Sequence, residues 1–275
     1  MKRFYLILIP LLCCFPALGQ TGHVTDCSGS NSGASTIVCT TTTMNVSNGD
    51  TLLMFGIWND PTATFTSFSK SSGTATIGTC TEINNIGSET TTVASGNNKM
   101  VQAWCPVTGS GTLIPVLTLS SSASGTIRII CQDASGGGSI DSYALVVATN
   151  PGLGANGLST NCGAGTGCTN ITTTVSGDYL AVATRDTGGN VTSFSAGTNY
   201  TLITTSSCGS GSDCGEWQVQ TSASSSTVGT FTVNTSGGAD TFLIGIIALK
   251  PLGGSSNPGT TIIPKTTVLP KTTVL

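Results

Sequence analysis

Charged side chains are scarce in this chain. Asp, Glu, Lys and Arg make up 8% of its 275 residues, against about a quarter in an average soluble protein. The strong helix formers Glu and Lys are rare, whereas Thr, Ser, Gly and Val are abundant. No segment carries apolar residues at helical spacing over several turns. The composition therefore predicts an all-β protein without a long helix.

Basic residues are few as well, with nine Lys and Arg against twelve Asp and Glu. They form no basic patch, so nucleic acid is not expected as a partner. Intrinsic disorder needs low hydrophobicity and high net charge. The mean hydropathy of +0.25 and the regular spacing of apolar residues exclude it. The chain is long enough for one large β-domain or two small ones.

Residues that could carry catalysis are also lacking. The only histidine is His23, and no Gly-x-Ser-x-Gly motif occurs, so Ser-His-Asp hydrolysis is not expected. The carboxylates are scattered, mostly at turns, and offer no pair for glycoside hydrolysis. A Gly-x-Gly-x-x-Gly match at residues 152–157 is followed by Ser, Thr and Gly rather than by a helix, which predicts a loop. We therefore expect no enzymatic activity.

The N-terminus has the layout of a secretory signal peptide. Residues 1–19 contain a basic start at Lys2 and Arg3, an apolar core, and the small-x-small ending at residues 17–19. We expect Gln20 to be the first mature residue. The protein is then secreted, extracellular or at the cell surface, with no membrane span after cleavage. An uncleaved anchor is the alternative, which the short apolar core disfavours.

Several apolar runs predict buried strands. Residues 240–251 are nearly continuous in apolar side chains and too short to span a bilayer, which is typical of a central strand covered on both faces. Residues 51–58 form a second continuous run, and residues 125–133 a third. Turn signals separate the strand candidates at intervals of roughly 8 to 15 residues, the rhythm of a sandwich or barrel.

The second half of the chain repeats the order of short motifs in the first half. The matched positions are Gly49-Asp50 with Gly177-Asp178, Ser67-Phe68-Ser69 with Ser193-Phe194-Ser195, Trp104 with Trp217, Leu117-Thr118-Leu119 with Phe231-Thr232-Val233, and Thr126-Ile127 with Thr241-Phe242. We interpret this order as a degenerate internal repeat. Chance similarity between strands rich in Thr and Ser is the alternative.

The repeat predicts a two-sheet antiparallel β-sandwich over residues 40–251, built from pseudo-repeated halves at about 40–135 and 136–251. We expect the halves to interleave as one jelly-roll-like domain, and the alternative is two tandem immunoglobulin-like sandwiches. Residues 20–39 are expected to form an N-terminal segment rich in Ser, Thr and Gly. Residues 252–275 are a low-complexity tail in which Pro-Lys-Thr-Thr-Val-Leu occurs twice in tandem.

The order GDTLLMFGIW, FTSFS, MVQAW, VLTLSS, TIRIICQDASG, SGDYLAVAT and FLIGIIALKP resembles a jelly-roll-like β-sandwich domain of secreted bacterial proteins. Such domains occur in long surface or extracellular proteins beside immunoglobulin-like repeats. The resemblance covers residues 40–251 and rests on strand order and small turn motifs. It implies a fold and a compartment but no site residues.

The cysteines predict disulfides, because nine remain after the signal peptide is removed and the protein is expected to be exported. Two loops with five intervening residues, rich in Gly, allow the short Cα separation that a disulfide needs. The expected pairs are Cys162 with Cys168, Cys208 with Cys214, Cys27 with Cys39, and Cys80 with Cys105. Cys131 is left as a buried thiol, and the spacings do not suit zinc.

Calcium and sugars are the two candidate ligands. Calcium is a possible cofactor through Asp60, Asp133 or Asp141, since loop carboxylates suffice in extracellular sandwiches. Trp58 and Tyr143 are candidate platforms for stacking against a sugar. We expect a secreted, non-enzymatic structural or adhesion module whose partner is a cell-surface protein or a glycan. The alternative is a carbohydrate-binding module.

Overall fold

The computed structural model describes residues 22–83, 92–150, 171–197, 199–203, 208, 213–220, 232–235 and 240–251. The expected signal peptide and the tail lie outside these residues. The regular elements in the described ranges are all β-strands, and their pairing is antiparallel throughout. The predicted all-β antiparallel sandwich architecture is confirmed.

The first half of the chain forms two sheets. Its strands are β1 (Gly22–Ser32), β2 (Thr36–Val38), β3 (Met44–Val46), β4 (Thr51–Asn59), β5 (Phe65–Ser72), β6 (Thr76–Ile77), β7 (Thr81–Glu82), β8 (Thr92–Ser95), β9 (Asn98–Gly109), β10 (Gly111–Leu119) and β11 (Thr126–Ser135). The larger sheet has the order β1-β11-β4-β9, with β6, β7 and β8 paired to β9. In the smaller sheet β10 pairs with β2, β3 and β5.

The second half also forms two sheets. Its described strands are β12 (Gly137–Asn150), β13 (Tyr179–Asp186), β14 (Val191–Ser195), β15 (Thr201–Leu202), β16 (Asp213–Val219), β17 (Thr232–Thr235) and β18 (Asp240–Pro251). The larger sheet has the order β12-β18-β13-β16-β15, and β14 pairs with β17. Within the described residues, each strand pair lies inside one half of the chain.

The two halves share one strand order and one register. The order β1-β11-β4-β9 corresponds to β12-β18-β13-β16, strand by strand. Trp104 lies opposite Leu53 across β9 and β4, and Trp217 lies opposite Ala181 across β16 and β13. The matched positions Trp104 and Trp217 therefore occupy equivalent places in the two larger sheets.

The turns that open β4 and β13 are equivalent as well. Gly49 and Gly177 both have a positive φ, at 94° and 88°, a conformation that favours glycine. The N–H of Gly49 donates to the carbonyl of Val107 at 2.9 Å, and that of Gly177 donates to the carbonyl of Gln220 at 2.8 Å. The same turn therefore starts the central strand of each half.

One matched pair of motifs is out of register by two residues. Phe68 on β5 lies opposite Leu117, whereas Phe194 on β14 lies opposite Val233. Leu117 thus corresponds to Val233 and not to Phe231. The sequence comparison was wrong here because a shift of two residues keeps the same face of a strand and leaves the apolar pattern unchanged.

The continuous apolar run in β4 reflects burial on both faces. Leu52 and Met54 belong to the first core, which lies between the two sheets of the first half. Leu53 and Phe55 belong to the third core, which lies between the larger sheets of the two halves. Alternate residues point to opposite faces of a strand. Both faces are covered, so the residues from Leu52 to Trp58 are all apolar or glycine.

The apolar run in β18 has the same cause. Phe242 and Ile244 belong to the second core, which lies inside the second half, whereas Leu243 and Ile247 belong to the third core. Between them lies Gly245, where an added Cβ would come within 3.0 Å of ring carbons of Phe55. The two larger sheets therefore approach each other closely at this glycine.

The layers are stacked in the order smaller sheet, larger sheet, larger sheet, smaller sheet. The halves do not interleave as the jelly-roll-like interpretation expected. Each half is a sandwich of its own, as in the tandem alternative, and the two sandwiches share the third core. Periodicity predicted two buried faces for the central strands, but it cannot say which sheet covers each face.

The N-terminal segment is part of the first sandwich. Residues 20–39 were expected to precede the domain, yet β1 and β2 lie within them, and β1 pairs with β11 from Gly22 to Ser32. The sandwich therefore begins before residue 40. The Ser-rich and Gly-rich sequence of β1 concealed it, because a strand at the edge of a sheet needs few apolar residues.

Candidate functional site at the junction of the two halves

The two predicted sugar-stacking residues have different surroundings. Trp58 is completely buried in the first core, and its indole N–H donates to the carbonyl of Ala63 at 3.0 Å. It cannot stack against a sugar in solution, so this prediction is wrong for Trp58. The reason is that β4 is covered on both faces. Tyr143 is only partly buried and borders a groove.

This junction groove lies at the edge of the third core and has a volume of about 250 Å³. Glu82, Ile83 and Trp104 line it from the first half, and Ile140 and Tyr143 line it from the second half. The two aromatic side chains are partly buried and Glu82 is exposed. Aromatic faces can stack on the apolar face of a sugar ring, and a carboxylate accepts hydrogen bonds from hydroxyl groups. The groove thus offers a small amphipathic binding surface.

The pseudo-repeat has a position equivalent to the junction groove, next to Trp217, and the side chain of His23 fills it. His23 lies just before a bulge in β1, and Ile140 lies just before the matching bulge in β12. The ring of His23 stacks on Trp217, with centroids 4.8 Å apart and planes inclined by 9°. Trp217 is therefore covered by a ring from the other half, whereas its counterpart Trp104 faces an open groove.

A chain of hydrogen bonds crosses the third core beside His23. The side-chain nitrogen of Gln132 donates to the carbonyl oxygens of Val182, at 3.4 Å, and Glu216, at 3.2 Å. Its side-chain oxygen accepts from the hydroxyl of Tyr179 at 2.8 Å. The Tyr179 oxygen is left to accept from Nδ1 of His23 at 2.9 Å. Burial raises the pKa of Tyr179 well above its usual value, so the hydroxyl remains a donor.

The other ring nitrogen of His23 contacts a carboxylate. Nε2 lies 3.1 Å from Oδ2 of Asp26, whose side chain is 6% exposed. Among the described residues, no Ser, Thr or Cys side chain is hydrogen-bonded to His23, so this cluster lacks the nucleophile of an acyl-transfer site. It joins the two halves instead, because His23, Asp26 and Gln132 come from the first half and Tyr179 from the second.

An ion-pair cluster also joins the halves. Arg128 on β11 and Arg185 on β13 each place a guanidinium nitrogen 2.7 Å from Oδ1 of Asp213 on β16. The Asp213 side chain is 6% exposed. Charge pairs that are shielded from water in this way interact more strongly than pairs on an open surface.

The three calcium candidates lie in separate places. Asp60 accepts from three backbone N–H groups at 2.6–2.7 Å, which hold the turn after β4 and keep the pKa of its carboxyl below the usual value. Asp133 is buried on β11. Asp141 lies 2.9 Å from the ammonium of Lys250, which occupies the position a cation would need. The described residues contain no group of three or more His, Cys, Asp or Glu placed to hold a metal ion.

Three disulfides are present in the described residues. They are Cys27–Cys39, Cys80–Cys105 and Cys208–Cys214, which were all among the expected pairs, and Cys131 is a buried free thiol. The predicted pair of Cys162 and Cys168 lies outside the described residues. Disulfides form and persist in oxidising environments, so these bonds indicate such an environment for this protein.

Buried carboxyl groups are a feature that the sequence did not reveal. Burial, followed by repulsion from Asp50, raises the pKa of Asp133 to about 9. Burial and then the neighbouring Asp141 raise the pKa of Asp178 to about 8. Burial also raises the pKa of Glu216 to about 8. These groups are protonated at neutral pH, and in the sequence they look like ordinary turn or strand carboxylates.

A larger cavity of about 440 Å³ lies at the open edge of the first sandwich, between β5 and the segment around β6 and β7. Phe65, Phe68 and Ile77 supply its apolar lining, and Lys70 lines it as well. The ammonium of Lys70 already donates to two backbone carbonyls, at 3.1 and 2.7 Å. This cavity combines aromatic rings with the hydroxyl groups of Ser and Thr residues and the carboxylate of Glu82, and its lining comes from the first sandwich alone.

The residues of the junction groove were only partly predictable. Tyr143 was singled out as a candidate platform for stacking against a sugar, whereas Trp104 was noted only as a matched position of the repeat and Glu82 was not considered. The match between Trp104 and Trp217 is the signal that could have identified Trp104. Two equivalent aromatic residues on the outward face of a repeat each need another side chain to shield them from water. Among the described residues, the ring of His23 stacks on Trp217, and no ring is stacked on Trp104 in the same way.

Comparison of the chain with protein-family models, with curated proteins and with solved structures found no match. The part of the chain described by the structure contains no helix long and apolar enough to cross a membrane.

Proposed function

We propose that this protein is a secreted, non-enzymatic structural module of the cell surface, in which two β-sandwiches act as one rigid unit. The third core carries this proposal, since it continues the apolar packing from one sandwich into the other. Sandwiches joined only by a linker would be free to move relative to each other. The partly buried hydrogen bonds of His23 and the ion pairs of Asp213 add further links across the same junction.

The three disulfides support an extracellular location, because they need an oxidising compartment. They also suit a module that must persist outside the cell. The signal peptide expected at residues 1–19 agrees with this location, and a cell-surface protein or a glycan remains the proposed partner.

Small-angle X-ray scattering of the mature protein tests the rigid unit. We expect the wild-type profile to fit one fixed arrangement of the two sandwiches. Gly245→Val should expand the particle, because the added side chain meets Phe55 and Gln102 within about 3 Å in the third core. Gly22→Val is the matched control, since its Cβ would meet only Ser135 Oγ at 3.4 Å. A wild-type profile that requires two independently moving bodies would contradict the proposal.

The junction groove favours carbohydrate binding as a second candidate function. Trp104 and Tyr143 are the ring surfaces, and Glu82 is the hydrogen-bond acceptor. Screening of the mature protein against a glycan panel tests this candidate. A saturable ligand should be lost with Tyr143→Ala and retained with Tyr143→Phe, because the second variant keeps the ring. Absence of any saturable glycan, or binding unaffected by Tyr143→Ala, would remove this candidate and leave the structural one standing.

A further inference from the structure

A lysine and two aspartates meet where the last strand leaves the second sandwich. The ammonium of Lys250, at the end of β18, lies 2.9 Å from Oδ1 of Asp141 on β12. Asp141 occupies a bulge between the residue pairs Ile140–Leu249 and Ser142–Ala248. Its side chain is 1% exposed, so it points away from solvent and towards the end of β18.

Asp178 lies beside this ion pair and is completely buried. Its two carboxyl oxygens receive no hydrogen bond from the described residues. A buried carboxylate without donors is unfavourable, so the group holds its proton. Burial and the neighbouring Asp141 raise the pKa of Asp178 to about 8, which keeps a proton next to Asp141 at neutral pH.

Thr174 binds the Asp141 carboxyl from another direction. Its backbone N–H donates to Oδ2, and its hydroxyl donates to Oδ1 at 2.7 Å. Donors at both oxygens draw electron density away from the carboxyl carbon and stabilise negative charge that develops on oxygen during attack by a nucleophile. Asp141 thus has an amine, an acid and two further donors around it.

We propose that Lys250 and Asp141 become joined by an intramolecular amide bond between the side chains of β18 and β12. Nζ of Lys250 attacks Cγ of Asp141, an N–C bond forms, and one C–O bond of the carboxyl breaks. The ion pair carries three protons on nitrogen, and the amide keeps one of them. The other two leave with the departing oxygen as water, and the reaction needs no oxidant, reductant or cofactor.

Asp178 assists this step by proton transfer. It gives its proton to the oxygen of Asp141 that will leave, and it receives a proton from the attacking nitrogen. Its own protonation state is unchanged at the end. Attack also requires that nitrogen and carboxyl be held in contact, which the neighbouring strands β12 and β18 provide.

The first half of the chain contains a natural comparison. Asp50 and Asp133 form a buried carboxyl pair beside the equivalent turn. The position equivalent to Lys250 is Ser135, at the end of β11, so this site has acids but no amine. The described lysines Lys70 and Lys99 donate to backbone carbonyls and contact no carboxylate. Lys250 is therefore the lysine of the described residues that is placed for this chemistry.

The position of the bond has a mechanical consequence. The chain continues past Pro251, and a pull on that side reaches β18 first. With the amide in place, the load passes from Lys250 to Asp141 at the start of β12. The residues between these two positions make up nearly all of the second sandwich. The pulling force then does not act on them and cannot unfold them. The bond itself does not depend on the proposed structural function.

Mass spectrometry of the reduced, unfolded protein tests the proposal directly. We expect the wild-type chain to be lighter than its sequence by one water. Tandem spectra of its digest should show the peptide containing Lys250 joined to the peptide containing Asp141. Lys250→Arg, which keeps the cation, and Asp178→Asn, which removes the acid proton, should both have the full mass. Lys99→Arg is the control and should keep the loss of water.

Wild-type protein that is folded and has the full sequence mass would overturn the proposal. A loss of water that maps to any other residue would overturn it as well. This readout does not require the variants to fold, because the wild-type measurement decides by itself. A cross-linked Asp178→Asn would overturn the role given to Asp178.

Discussion

Replacement of Tyr179 by Phe removes one hydroxyl from the junction of the two halves and leaves the ring in place. That hydroxyl donates to Gln132 at 2.8 Å and accepts from His23 at 2.9 Å. Gln132 is completely buried, so its oxygen would lose its donor without access to water. An unsatisfied buried group costs about 1 to 3 kcal/mol, and a lost hydrogen bond about 1 kcal/mol. We expect Tyr179→Phe to lower the free energy of unfolding by about 2 to 4 kcal/mol.

Urea unfolding followed by circular dichroism measures this change, with an unchanged m-value as evidence that the unfolded state is the same. Tyr143→Phe is the matched control, because Tyr143 is only partly buried at the same junction. It should change the stability by less than about 0.5 kcal/mol. If Tyr179→Phe had an effect as small as that of the control, the hydrogen-bond chain would not contribute to holding the halves together.

Three further predictions follow from buried groups and cross-links. Asp133 has a folded pKa of about 9 against about 4 unfolded, so its contribution to stability is complete below about pH 4 and is lost as the pH rises towards 9. The decline in stability between about pH 4 and pH 9 should be shallower in Asp133→Asn than in the wild-type protein, and an equal decline would contradict the buried acid. Simultaneous replacement of Cys80 and Cys105 by Ala should cost about 3 kcal/mol in urea unfolding, because the bond closes a loop with a sequence separation of 25. Lys250→Arg should cost about 4 to 5 kcal/mol, because it removes the proposed amide that closes the loop from Asp141 and keeps only a cation beside the carboxylate. A cost below about 1 kcal/mol, in the range of a change within an ion pair, would contradict the amide.

The strands that the sequence predicted best are those with unusual composition. Residues 51–58 and 240–251 are β4 and β18, and their continuous apolar character did indicate burial on both faces. Period-two alternation carries the information about which residues share a face, and in these strands alternate residues do enter different cores. The sequence does not say which sheet supplies each cover, and so the stacking of two sandwiches was not predicted.

The candidate site was less predictable because it depends on contacts across the third core. His23 belongs to the segment that was expected to precede the domain, but β1 holds it against Trp217 in the other half. Trp58 was considered a surface aromatic residue and is buried. The residues next to these side chains in the sequence do not indicate which sheet or side chain packs against them. Only the repeat, which pairs Trp104 with Trp217, indicated that both positions face the same junction.

The disulfides were predictable because their chemistry is local. Cys208 and Cys214 are six residues apart in a loop rich in Gly, and such loops can close without help from the rest of the fold. The ion pair of Lys250 and Asp141 was not predictable in the same way. Its partners are far apart in sequence and are brought together only when β12 and β18 pair.

Differential scanning calorimetry of the intact mature protein tests most directly whether the two sandwiches form one unit. Coupling through the third core predicts a single transition in which the calorimetric enthalpy equals the van't Hoff enthalpy for the whole chain. Gly245→Val should divide it into two transitions, since the sheets can no longer approach at the glycine. Two separate transitions in the wild-type protein, each with its own van't Hoff enthalpy, would contradict the central claim that the sandwiches are fused through a shared core.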